Sequence, residues 1–257
     1  MINFKTAYGN FKLPQGYYDL TCREYKELRE NLENPIKIIQ ILTGLDEVKA
    51  CLVDTEVIAQ YIGFLQEPAL DVLEESDYLE IPCRNKTVFK KIGQCSYAQK
   101  ITATKLLQVQ DIESLVAEYS IDIDVKDRQK EIEFRKELIL DCKVDEVYSV
   151  AKYLINQLKE ILERENELLS SNITEEQKRA GIESFNVLGE FNTIDMIAEK
   201  YKYTHKEVEE LDYDLIFLIL YKNKLTTNFE KNYSEILKEK NNRQLPKFII
   251  ARLLTVI

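Results

Sequence analysis

Residues that most catalytic and phosphate-binding sites depend on are scarce in this sequence. Its 257 residues include one histidine, His205, only seven glycines and no tryptophan. Histidine is the side chain most often used for general acid–base catalysis, and glycine lets a loop approach a phosphate closely. These shortages point away from an enzyme and away from a nucleotide-binding loop.

Long hydrophobic runs are also missing. The longest strongly apolar stretches, LIFLIL and FIIA, are far shorter than the roughly 20 residues that a transmembrane helix needs. The opening residues, MINFKTAYGNFKLP, contain no apolar segment typical of a signal peptide. We therefore expect neither a membrane protein nor a secreted one, while a hydrophobic content of 45% is enough for a packed core.

The cysteines show neither a metal-binding nor a disulfide pattern. An odd number of them, without a secretory segment, is typical of reduced thiols in a cytosol-like compartment. We expect these residues to fill the core as small hydrophobic side chains, and we expect no metal and no cofactor. The five are spread over the chain without a C-x-x-C pair: Cys22, Cys51, Cys83, Cys95 and Cys142.

Charge is distributed unevenly along the chain. The net charge of −10 disfavours binding to nucleic acid and to anionic lipid, because both are bound through Lys and Arg. Residues 222–257 nevertheless contain eight Lys or Arg against three Glu, a local charge of +5, which leaves −15 for the rest. A basic end on an acidic body indicates contact with an acidic partner or a neighbouring copy, although a solvated helix would have the same composition.

Periodicity and capping signals predict a mainly α protein, a multi-helix bundle with a small β-hairpin insertion. Thr21 with Glu24 forms a capping box for the first helix, and Pro35 and Gly44 bracket the second. Further helices are predicted over DTEVIAQYIGFLQ, from residue 96 to about 108 and from 112 to 119. Two β-prone runs around RNK predict the hairpin near 78–92, and the longest helix is expected over 144–169.

The polar run SSNIT predicts a division between two domains. An N-terminal helical domain is expected over 1–169 and a C-terminal helical domain over 175–257. The second is predicted to contain separate helices near 175–188, 191–201, 206–211, 214–224 and 228–238. Its apolar end, LPKFIIARLLTVI, is expected to pack on the body or on a partner.

Three patterns suggest chemistry or DNA binding, and each has a simpler interpretation. Asp122, Asp124 and Asp127 in IDIDVKD resemble the loop of an aspartate-nucleophile phosphatase, but the chain lacks the βαβ pattern of those enzymes, and a solvated acidic loop is favoured. His205 follows Thr204 at a helix start, which indicates a surface cap region. The segment TIDMIAEKYKYTHKEVEELDYDLIF has helix–turn–helix spacing, but five carboxylates on its second helix would repel DNA, so a DNA-binding regulator is a distant alternative.

Three segments share their pattern with one family of proteins. DLTCREYKELRE and IKIIQILTGLDEV place a Thr-led helix before a Gly-ended helix. NKTVFKKIGQCSYAQKITATKLL places a hairpin before a helix, and FNTIDMIAEKYKYTHKEVEELDYDLIFLILYKNK places a helix before a polar turn and another helix. In these features the chain resembles the tail-assembly chaperones and related small morphogenesis proteins of tailed phages.

The resemblance implies a non-enzymatic protein that binds tail, baseplate or portal-region proteins during virion assembly. A structural subunit at the portal or tail vertex is the near alternative. The expected partners are other phage structural proteins, with self-association left open and without membrane or nucleic acid. The expected location is the host bacterial cytoplasm, the virion or both.

Aromatic side chains are the candidate partner-binding residues. They offer a large contact area at low entropic cost, although each is equally suited to a half-buried place in the core. The candidates are Tyr17, Tyr18, Tyr25, Tyr213 and Phe217.

Overall fold

The computed structural model describes residues 1–80, 86–121, 127–170, 175–182, 184 and 188–254. In these ranges the chain is mainly α-helical, with two small antiparallel two-stranded sheets, which confirms the predicted fold class. The strands are β1 (Ile2–Thr6), β2 (Gly9–Leu13), β3 (Tyr78–Glu80) and β4 (Lys86–Val88). The helices of the N-terminal half are α1 (Cys22–Glu30), α2 (Pro35–Thr43), α3 (Glu47–Ala50), α4 (Thr55–Ile62), α5 (Ala69–Val72), α6 (Tyr97–Gln108) and α7 (Ile112–Tyr119). Those that follow are α8 (Arg128–Leu140), α9 (Val144–Leu169), α10 (Glu175–Arg179), α11 (Glu190–Tyr201), α12 (His205–Glu210) and α13 (Tyr213–Leu254).

Local capping chemistry determines where several of these helices begin and end. The Thr21 hydroxyl accepts a hydrogen bond from the Glu24 backbone N–H, and the Glu24 carboxylate accepts one from the Thr21 backbone N–H, as predicted. Pro35 occupies the first turn of α2, and Gly44 ends that helix in the left-handed conformation. Because these signals are local, they could be read directly from the sequence.

Helix α9 forms the centre of the molecule. It runs from Val144 to Leu169, the range that the apolar spacing predicts, and spans about 39 Å. Its buried face is in contact with α1, α5, α6, α7 and α13 and with β3. The buried side chains of α9 are Val144, Val147, Tyr148, Val150, Ala151, Leu154, Ile155, Leu158 and Ile161.

Two pairs of backbone hydrogen bonds, which we call bridges, hold the long helices α9 and α13 in place. They join the start of α9 to the start of α1, and the start of α13 to the start of α6. At the start of α9, the Cys22 N–H donates to the Cys142 carbonyl at 3.0 Å, and the Val144 N–H donates to the Leu20 carbonyl at 3.1 Å. At the start of α13, the Tyr97 N–H donates to the Leu211 carbonyl at 2.8 Å, and the Tyr213 N–H donates to the Cys95 carbonyl at 2.9 Å. Each bridge therefore places the start of a long helix beside the N-cap residue of a shorter one.

The predicted hairpin near 78–92 is confirmed as the pair β3–β4, with its connection outside the described residues. The short helices α3 and α5 were not predicted, and neither were two larger elements. One is the N-terminal hairpin β1–β2, in which Ile2 pairs with Leu13 and Thr6 pairs with Gly9. The other is α8, on which Phe134 is exposed while Arg135 is buried and paired with Glu131 at 2.8 Å.

The C-terminal helices differ from the prediction in length. The prediction of separate helices over 214–224 and 228–238 is wrong, because α13 runs unbroken from Tyr213 to Leu254. Most of SSNIT lies outside the described residues. One hydrophobic core nevertheless includes Leu154 and Ile161 together with Ile194 and Val208 from beyond that run. The division into two domains stays a prediction.

Candidate interaction surface

Four of the five predicted partner-binding residues lie in the core. Tyr17, Tyr25, Tyr213 and Phe217 are all at most 6% exposed, whereas Tyr18 is 56% exposed. The four buried rings are therefore already covered by the protein's own side chains. Of the predicted set, only Tyr18 has a ring that a partner can reach without rearranging the core.

Tyr17 and Tyr25 form an aromatic cluster that joins α1 to α9 and to the segment after α4. The Tyr17 ring packs edge-on against Phe64, with ring centroids 5.1 Å apart, and Tyr25 packs against Tyr148 at 5.3 Å. The Tyr17 hydroxyl donates to the carbonyls of Phe64 at 2.7 Å and Glu67 at 2.5 Å. Burial raises the pKa of Tyr17 to about 12. These contacts give both tyrosines a structural role.

Tyr213 belongs to a group of charged and polar side chains between α6, α9, α11 and α13, which we call the anchor cluster: Tyr97, Lys100, Arg164, Glu165, Glu190, Tyr213 and Asp214. At its centre, the Lys100 ammonium is 3% exposed and lies 3.0 Å from Glu165 Oε1 and 3.5 Å from Glu190 Oε1. The Tyr213 hydroxyl donates to Glu165 at 3.0 Å, and the Tyr97 hydroxyl donates to Glu190. Burial raises the pKa of both tyrosines, which keeps them protonated as donors.

The edge of the anchor cluster closes over the first turn of α13. Arg164 donates to Asp214 at 2.8 Å and lies over the rings of Tyr213 and Phe217 at 5.7 and 4.2 Å. The backbone at Gly93 approaches the Asp214 carboxylate so closely that a Cβ at residue 93 would overlap it. The cluster therefore holds the start of α13 rigidly against the body.

Helix α13 then leaves the body. Near that point Asn223 contacts Lys200, and the Lys224 ammonium donates to the Ser170 carbonyl at 2.6 Å. Every residue from Leu225 to Lys240 is exposed. We call this segment the outer helix. Isolated helices are marginally stable in water, and helices in proteins usually depend on packing of an apolar face.

The outer helix has such a face, which also extends along the exposed side of the docked part of α13. At about 100° of rotation per residue, seven exposed large side chains of α13 fall within about 120° of one another around the helix axis. Thr227, Lys231 and Lys238 lie on the opposite side. We call the seven side chains the stripe: Leu215, Leu218, Leu225, Phe229, Tyr233, Ile236 and Leu237. Exposed aromatic and aliphatic side chains grouped in this way are typical of protein interaction surfaces.

The stripe was not predicted, although its signal is present in the sequence. The spacing 218, 225, 229, 233, 236 is helical, but Thr226, Thr227 and Asn228 have modest helix propensity and suggested a break. In the structure the Thr226 hydroxyl donates to the Lys222 carbonyl at 3.0 Å, so the threonine is accommodated within the helix.

Residues that suggested other functions are accounted for locally. Asp122 and Asp124 lie outside the described residues, while Asp127 caps α8 through the Lys130 N–H. His205 lies on the surface at the start of α12, with Nε2 3.1 Å from Asp195. Glu207 and the other carboxylates of α12 leave the helix–turn–helix segment acidic.

Two observations bear on metal and membrane sites. Among the described residues, no group of three His, Cys, Asp or Glu side chains could hold a metal ion. Within that same part of the chain, no helix is both long enough and apolar enough to cross a membrane.

Burial raises the pKa of Cys95 and Cys142 to about 11, so both thiols stay protonated at neutral pH.

One cleft in the N-terminal half is distinct from the stripe. It lies between α2, α4 and the turn that follows α1, has a volume of about 200 Å³ and is lined mainly by aliphatic side chains, including Ile38, Ile58 and Ile62. This is smaller than the roughly 300–1,000 Å³ of most ligand pockets.

Comparison with protein-family models, with curated proteins and with solved structures finds no match to this chain.

Proposed function

We propose that the protein is a non-enzymatic assembly protein of tailed phages that acts by binding tail, baseplate or portal-region proteins. The observation that carries the proposal is the outer helix, because an exposed apolar stripe on a firmly anchored helix is suited to contact another protein. The resemblance to tail-assembly chaperones supports the choice of partner class.

The anchor cluster explains why such a surface would be effective. Ordering a flexible segment at the moment of binding costs free energy, and a helix whose first turns are already fixed avoids part of that cost. Helices that dock through residues at i, i+3, i+4 and i+7 are a recurring mode of recognition. Leu218, Leu225, Phe229 and Ile236 provide such positions.

The test is co-purification from cells that produce the phage encoding this chain. A tagged full chain is compared with the variant Phe229→Glu/Ile236→Glu and with the control Thr227→Glu/Ser234→Glu, which adds the same charge on the opposite side. We expect the wild type and the control to retain an identified tail, baseplate or portal protein, and the stripe variant to lose it. Retention of no virion protein by any form would refute the proposal.

The same preparation distinguishes the two roles that the resemblance leaves open. A structural subunit is expected in purified particles at a fixed stoichiometry. A chaperone is expected in the lysate and is missing from finished particles. We propose the transient role, because an apolar stripe that lies outside the core can exchange one partner for another.

A further inference from the structure

The stripe continues along the part of α13 that is docked on the body. Ile216 and Phe217 are buried there, whereas Leu215 and Leu218 are 46% and 59% exposed on the opposite side of the helix. From Leu215 to Leu237 the stripe is about 33 Å long, at 1.5 Å per residue. It faces away from the body, and none of the described residues covers it, so it is accessible to another molecule.

The size of the stripe fits a symmetric pair. From the exposed fractions of its seven side chains, the stripe presents on the order of 700 Å² of accessible surface. Two stripes packed together would bury about twice that area, which lies within the roughly 1,200–2,000 Å² typical of specific interfaces. A second copy therefore provides enough apolar surface without any other contact.

Two lysines determine the orientation of such a pair. Lys222 and Lys240 both lie along the middle of the stripe, at about the same angle around the helix axis. In a parallel pair in register, each of them would face its own copy, which is unfavourable for like charges. An antiparallel pair avoids both contacts.

We propose that a second copy of the chain covers the stripe in an antiparallel arrangement, with the two helices related by a twofold axis between Thr227 and Asn228. Residues equally distant from this point then face each other. Leu218 lies opposite Leu237 of the partner copy, and Lys222 lies opposite Tyr233, whose ring can accept the ammonium on its face. Lys240 lies beside Leu215 of the partner copy, and Ile236 lies opposite Ile219.

Charge complementarity supports the same arrangement. In this register residue 243 lies level with Asp212 of the partner copy, directly before the start of its α13. The segment 243–254 contains Arg243, Lys247 and Arg252, and α12 and the residues after it contain Glu207, Glu209, Glu210, Asp212 and Asp214. A parallel pair would instead place the two basic ends together and the two acidic bodies together.

The inference rests on the proposed function only in taking the stripe as an interaction surface. Its first test is the molar mass of the full chain in solution, by light scattering after size exclusion. We expect about 60 kDa for the wild type and for Thr227→Glu/Ser234→Glu, twice the chain mass of 30.2 kDa, and about 30 kDa for Phe229→Glu/Ile236→Glu. Circular dichroism confirms that the variants are folded. A wild-type mass of 30 kDa at 100 µM would overturn the inference.

The second test determines the orientation by cross-linking. In a background with Cys51→Ser and Cys83→Ser, the double variant Leu218→Cys/Leu237→Cys is expected to form a disulfide-linked dimer under mild oxidation. Leu218→Cys alone is expected to stay unlinked, because the two copies of residue 218 would be about 28 Å apart along the axis. Efficient linking of Leu218→Cys to itself would show a parallel pair and would contradict the proposal.

The two proposals fail in different ways. A monomer that still captures a virion protein through the stripe would refute the antiparallel dimer and leave the proposed function in place. A dimer that captures no virion protein would refute the proposed function and leave the antiparallel dimer in place.

Discussion

Replacement of Lys100 by methionine is the most informative test of the anchor cluster. The ammonium is almost completely buried and lies 3.0 Å from one oxygen and 3.1 Å from the other oxygen of the Glu165 carboxylate. Methionine keeps most of the side-chain volume and removes the charge. The Glu165 carboxylate, 22% exposed, would then retain only the Tyr213 hydroxyl among these partners.

The expected loss of stability follows from the burial of this pair. Removing one partner of a buried ion pair typically costs about 3–5 kcal/mol, because the other charge is left without compensation. Glu165 is partly exposed, and water can solvate it to some extent. We therefore expect Lys100→Met to lower the free energy of unfolding by about 2–4 kcal/mol.

A double-mutant cycle separates the ion pair from simple loss of packing. Glu165→Gln keeps an acceptor for Tyr213 and removes the buried negative charge, so Lys100→Met/Glu165→Gln is expected to recover at least half of the loss. The measurement is urea unfolding followed by circular dichroism, at one protein concentration for all forms. A loss below about 0.5 kcal/mol for Lys100→Met, or purely additive effects, would refute the role of the cluster.

Three further predictions concern other parts of the molecule. With Cys83→Ser, one thiol, Cys51, should react rapidly with a thiol reagent at pH 8, and the buried thiols should react only on unfolding; fast labelling of a second thiol would contradict the packing. Tyr17→Phe should cost about 1–3 kcal/mol in urea unfolding, because two carbonyls lose their donor. Gly93→Ala should lower the melting temperature by displacing Asp214, whereas Gly63→Ala, with open space and helical backbone, should leave it unchanged or raise it; equal effects would be inconsistent with the close approach at Gly93.

Much of the helical framework could be predicted because its signals are local. Capping boxes such as Thr21 with Glu24 involve residues three positions apart, and the apolar period of α9 is repeated over many turns. These features depend little on what the rest of the chain does. The ends of α2, α7 and α9 accordingly fall where the sequence places them.

The missed elements depend on tertiary contacts or on weak turn signals. The β1–β2 hairpin turns through Ala7 and Tyr8, which are not typical hairpin-turn residues. Helix α8 has an irregular apolar pattern, because Arg135 is buried beside Glu131 while Phe134 is exposed. Neither arrangement follows from a rule about hydrophobic periodicity.

The candidate interaction surface shows more clearly what could not be predicted from the sequence. Tyr17 and Tyr25 are suited equally to a core or to a surface, and only the packing around Phe64 and Tyr148 decides for the core. Conversely, the helical spacing from Leu218 to Ile236 predicts an apolar face but does not say whether the protein itself covers it. That distinction required the position of α13 relative to the body.

Hydrogen exchange of the amides of residues 225–240 tests most directly whether the exposed face of α13 serves as a contact surface. If another molecule covers it, these amides should exchange slowly at protein concentrations at which the pair forms. Their protection should fall on dilution and in Phe229→Glu/Ile236→Glu, while that of α9 stays unchanged. Rapid exchange of residues 225–240 at every concentration, unaltered by the stripe substitutions and by added virion proteins, would contradict the account.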